Sequence, residues 1–97
     1  MAVGASGVIS VIANIAPRQT ADMCAAVSRG DWSKAKALHL KMFPLVKALF
    51  IETNPIPVKA ALEMMGKCRC EPRLPLTPIT PASREALKKR MKAFGLL

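Results

Sequence analysis

The feature that most constrains this chain is the run Val8-Ile9-Ser10-Val11-Ile12, the one segment of its kind in the sequence. It is rich in β-branched residues and lies between Gly4 and Gly7 on one side and Asn14 and Pro17 on the other. That composition with those boundaries predicts a short strand. Its apolar residues do not alternate with polar ones, so the strand reads as buried on both faces, as in a parallel sheet. A lone strand leaves N–H and C=O groups open on both edges, and each costs about 1–3 kcal/mol if buried without a partner. The rest of the sheet is therefore expected from outside these residues, from other chains or from a longer protein.

Everything after the strand reads as helix or proline-rich connector. Pro17 to Val27 predicts a helix ending at Gly30, and Asp31 caps a longer one. Successive residues 100° apart place Leu45, Leu38, Leu49, Met42, Ala35, Val46, Trp32, Phe50 and Phe43 on one broad arc. His39 falls inside that arc and is expected to be a packed, hydrogen-bonded histidine. Lys34, Lys41, Ala37, Ala48 and Pro44 face away, with a bend expected at Pro44. Thr53-Asn54-Pro55-Ile56-Pro57 reads as a stiff extended connector, because each proline disfavours helix in the residue before it. Val58 to Met65 predicts a third helix closed by Gly66. The stretch Glu71 to Pro81 carries four prolines and is expected to lie along a surface groove. Thr80 and Pro81 then start a last helix, with Leu87, Met91 and Phe94 on its inner face before Gly95.

Composition narrows the function classes. Fifteen Lys and Arg against six Asp and Glu give a net charge of +9, which raises nucleic acid or an anionic membrane as partners. The charges are scattered, apart from Lys88-Lys89-Arg90 and Lys92, and four aromatic residues in all offer no stacking platform. Neither nucleic acid nor membrane is expected as a partner. No apolar run approaches the roughly 18 residues of a membrane span, and no basic n-region precedes an apolar stretch, so a cytoplasmic chain is expected. Cys68-Arg69-Cys70 lacks the spacing and the second ligand pair of a zinc site, and His39 is the only histidine. No metal and no cofactor are expected.

Three sequence words, in order and at matching separations, carry a resemblance: Gly7-Val8-Ile9-Ser10-Val11, Asn54-Pro55-Ile56-Pro57-Val58-Lys59 and Leu74-Pro75-Leu76-Thr77-Pro78. With the final Phe94-Gly95-Leu96-Leu97, the chain from Gly4 to Leu97 resembles the carboxy-terminal part of the dihydrodipicolinate synthase family. This is a branch of the pyruvate-dependent class I aldolases that include N-acetylneuraminate lyase, and the Asn54-Pro55 connector favours the synthase over that lyase.

The resemblance implies an α/β fold, a carboxy-terminal fragment of a TIM (β/α)8 barrel with an appended α-helical domain, mostly α as an isolated chain. Residues 1–30 would supply the last β/α unit and residues 31–97 the helical domain. It further implies a lyase that condenses pyruvate with aspartate semialdehyde through a lysine Schiff base, on the way to diaminopimelate and lysine, in a homotetramer. Ile9 matches the position that lines the family's pyruvate pocket, with Gly7, Val8 and Ser10 beside it. Ile12 departs from the small or hydroxyl residue common there. Asn54 matches a family position and is expected to cap the connector.

No catalytic residue is expected within these 97 residues. They contain no tyrosine for the family's proton relay, and every lysine falls in a predicted helix or the turn after one. A Schiff-base lysine must be partly neutral, which requires burial or a cationic neighbour. The alternative reading is a basic helical binding or oligomerisation module without catalysis.

Overall fold

A computed structural model describes all residues 1–97. A 3-10 turn at Val11–Asn14 is followed by four helices: α1 (Pro17–Ser28), α2 (Trp32–Ala48), α3 (Ile56–Met64) and α4 (Pro81–Phe94). There is no strand. The run from Val8 to Ile12, predicted as one, divides at Ser10 into an extended arm and the 3-10 turn. A strand is defined by its ladder, and nothing in this chain pairs with residues 5–9. The chain is mostly α.

Local chemistry explains the helix ends. Pro17 starts α1, where its missing N–H would have no intrahelical partner anyway. The buried Thr20 hydroxyl donates to the Ala16 carbonyl at 2.9 Å, so its burial leaves no polar atom unpaired. Gly30, at φ 76°, reverses the chain, and the Asp31 carboxylate accepts from the Lys34 amide at 3.0 Å to cap α2. Helix α2 continues through Pro44. Thr80 caps α4 by accepting from the Ser83 amide at 3.4 Å, and Gly95 ends it at φ 90°.

Helix α2 packs against both α1 and α4, α3 packs against α4, and the 3-10 turn touches α1, α2 and α3. One apolar cluster joins them, with Ile15, Leu45, Leu49, Leu87 and Met91 fully buried and Ile79 brought in from the proline-rich strap. Residues 1–30 and 31–97 thus share a core.

Several expectations need correction. Because α2 divides its buried face between two neighbours, the inner stripe is narrower than the predicted arc. Trp32, Phe43 and Phe50 are about half exposed, while Ala48, expected outside, is buried. His39 is exposed, makes no hydrogen bond and lies against the Phe43 ring at a centroid distance of 5.7 Å. Helix α3 begins at Ile56, two residues earlier than predicted. Pro57 fits its first turn for the same reason that Pro17 fits α1. Asn54 makes no side-chain hydrogen bond, and α3 starts from Pro55 with no side-chain cap.

Candidate functional site

Gly4, at φ 99°, closes a turn in which its amide donates to the Met1 carbonyl at 3.0 Å. From Ala5 to Ile9 the arm then runs without a backbone hydrogen bond. Side chains on an extended segment alternate between its two faces. Val8 and Ser10 line an apolar groove of about 780 Å³, walled by Met23 and Val27 of α1 and Trp32 and Phe43 of α2. Ile9 does not line that groove. It is fully exposed, at 106% of its reference surface, on the side away from the helices. The next apolar residue on the groove side, Ile12, is buried in the core and anchors the arm. The arm therefore has one face over the groove and one open apolar face, with Ile9 at the centre of the open one.

The lysines are distributed differently. None of the nine is buried; they lie on α2, α3 and α4 or just after α3, and of them Lys36 of α2 lines the groove beside the arm. No three His, Cys, Asp or Glu side chains come together as a metal-binding group. No helix is long and apolar enough to cross a membrane. Part of the positive charge on α4 is engaged locally: Arg84 in its first turn pairs with Glu63 at 2.8 Å, and Lys88 lies 3.9 Å from Glu85.

Two carboxylates that sequence reading had not singled out hold the strap between α3 and α4. Glu63 accepts from the Cys70 amide at 3.1 Å and pairs with Arg84. The Cys70 amide and then the guanidinium hold its carboxyl below the ordinary 4.5. Glu52 accepts from the Thr80 hydroxyl at 2.6 Å and the Thr80 amide at 3.1 Å, and its carboxyl is likewise held low, chiefly by that hydroxyl. Between these anchors, Lys59, Arg69, Glu71 and Arg73 line an open basic cleft of about 720 Å³. Both anchors form only after the chain folds back on itself, so no local spacing announces them.

With this geometry in view, similarity to known proteins becomes specific. The model of the dihydrodipicolinate synthetase family matches residues 1–94. The 4-hydroxy-tetrahydrodipicolinate synthase of Maridesulfovibrio salexigens is 53% identical over all 97 residues, which amount to 33% of that protein. The crystal structure of the dihydrodipicolinate synthase of Thermotoga maritima superposes with a TM-score of 0.97 at 49% identity, over 99% of this chain and 32% of that one. The Acinetobacter baumannii enzyme, solved in complex with pyruvate, superposes with a TM-score of 0.94 at 45% identity, over 98% of this chain and 33% of that one. The chain spans about a third of the length of the relatives it matches. Sequence words, helix order and backbone shape agree along the whole chain, and it belongs to the dihydrodipicolinate synthetase family.

Proposed function

We propose that these residues form the carboxy-terminal part of a lyase that condenses pyruvate with aspartate semialdehyde to 4-hydroxy-tetrahydrodipicolinate, in lysine and diaminopimelate biosynthesis. The observation that carries this reading is the open face of the arm: Ile9 is fully exposed in an extended segment with no backbone partner, while Val8 and Ser10 face the helices. In a parallel barrel, residues of each strand point alternately to the interior and to the surrounding helices. Residues 5–10 are then the last strand, α1 the helix after it, and Ile9 an inward residue on the wall of the keto-acid pocket. Residues 31–97 form the appended helical domain. Such an enzyme works in the cytoplasm, as a homotetramer.

Ile9 supplies shape and dryness. An apolar wall beside the keto acid excludes water from the imine carbon and raises the effective strength of charges around it. The lysine that forms the Schiff base and the tyrosine that moves protons come from residues outside these 97. None of the nine lysines here is buried. The chain by itself is therefore catalytically silent.

Borohydride trapping tests the reading. With pyruvate and reductant, the 97-residue chain alone should gain no mass. Joined in frame behind the amino-terminal remainder of a relative, it should yield one pyruvate-sized adduct, on a lysine outside these residues. An adduct on Lys34, Lys59 or any other lysine of the isolated chain would overturn the assignment.

A further inference from the structure

The proposed function makes no use of the loop between α3 and the strap, where two thiols stand two residues apart beside the basic cleft. Cys68 is exposed, and Cys70 is half-buried with its amide fixed by Glu63 at 3.1 Å. Arg69, between them, also lines the cleft, together with Lys59 and Arg73. Lys59 donates to the Glu71 carbonyl at 3.1 Å, which ties the strap to α3 and sets one cleft wall. Arg73 has no carboxylate partner, and Arg69 has only the exposed Glu71 at 3.7 Å. The cleft therefore holds more positive than negative charge, next to a pair of thiols.

We propose that Cys68 and Cys70, with Lys59, Arg69 and Arg73, form a site that reacts with acidic low-molecular-weight disulfides such as oxidised glutathione and closes reversibly to a Cys68–Cys70 disulfide. The Cys68 thiolate attacks one sulfur of the small disulfide, forming a mixed disulfide and expelling one thiolate. The Cys70 thiolate then attacks the Cys68 sulfur and expels the second. Two protein thiols are oxidised, one small disulfide is reduced to two thiols, and the two protons from the cysteines end on the two leaving groups. Exposure makes Cys68 the entering nucleophile; burial and the Glu63 carboxylate push the Cys70 thiol up, so Cys70 is the slower thiol and resolves.

The geometry permits closure. Residues two apart have Cα atoms at most about 7 Å apart, and a disulfide bridges about 4.4–6.8 Å, so the pair is within reach once Arg69 bends to turn both side chains together. The small ring is strained, which makes it readily reduced again. The cleft cations select for carboxylate-bearing disulfides by attraction that salt screens.

The reduced 97-residue chain, mixed with oxidised glutathione at low salt and then alkylated, should lose two hydrogens and retain one alkylatable cysteine, Cys24. Closure should be at least about tenfold faster than with cystamine, a cationic disulfide, as expected for charge steering. That preference should disappear in an Arg69→Ala, Arg73→Ala variant and in about 1 M salt. Cys70→Ser should instead hold a glutathione adduct on Cys68. Equal rates with the two disulfides, a persistent glutathione adduct on the unmodified chain, or pairing with Cys24 would each overturn the proposal.

Discussion

Leu87 and Trp32 illustrate how unequal two large apolar residues are here. Leu87 on α4 is completely buried, so Leu87→Ala should destabilise the chain by about 2–5 kcal/mol in thermal or urea unfolding. Trp32 is 54% exposed at the groove, and Trp32→Ala should cost clearly less. Ile9→Ala should leave the stability of this chain unchanged to within about 0.5 kcal/mol, because no core contact is lost. In the joined enzyme the same change should raise the KM for pyruvate, whereas Lys88→Ala with Lys89→Ala should leave it unchanged. Glu63 brings in pH. Its carboxyl is held below 4.5 in the folded chain, so its contribution is present above that value and fades as pH falls through the folded value. Glu63→Gln can still accept from the Cys70 amide but loses the charge facing Arg84. The variant should therefore be the less stable of the two at neutral pH, and the gap should close in acid. Sequence periodicity identified Leu87 and Met91 as core residues because a helix surface repeats locally. It placed Trp32, Phe43 and Ala48 wrongly because which arc of a helix is covered depends on where its neighbours lie.

At the level of elements, the starts and stops were the legible part, since each rests on a few adjacent residues. Asp31, Thr80 and Pro81 mark helix starts, and Gly30 and Gly95 take the positive φ that ends a helix. Thr80 does more than its cap position discloses. Its hydroxyl accepts from the Ser83 amide and donates to Glu52, so one side chain both begins α4 and anchors the strap. Thr80→Ala should cost about 1 kcal/mol or slightly more, while Thr80→Ser, which keeps the hydroxyl, should recover most of the loss. Pro44 offers the opposite case. It sits exposed within α2, so Pro44→Ala restores a backbone donor and should raise the melting temperature. The predicted strand failed as an element for a related reason. Residue preference sets an extended backbone, but a ladder requires a second segment, and that requirement lies beyond what local sequence can supply.

The whole molecule carries that deficit as surface. Its accessible area is 6390 Å², against about 5,400 Å² expected for a compact monomer of this mass. The radius of gyration, 14.4 Å, also exceeds the roughly 12.5 Å of a compact chain of this length. The open arm and the apolar groove beside it contribute to that excess. Amide exchange should reflect this division, with residues 5–9 exchanging at nearly unprotected rates and the buried turns of α2 and α4 the slowest. Equal protection in a monomer would contradict it. The unpaired arm also has a consequence for the chain in isolation. Gly7 to Ile12 is an uncharged, proline-free, β-branched hexapeptide whose first three residues leave their amides and carbonyls unpaired, and once its 3-10 end opens it is the type of segment that stacks in register into cross-β fibrils. At high concentration the isolated chain should seed thioflavin-positive aggregates, and Ile9→Lys should suppress them without loss of helix content. The residue proposed to wall the keto-acid pocket is thus the site where the isolated chain is most prone to self-association.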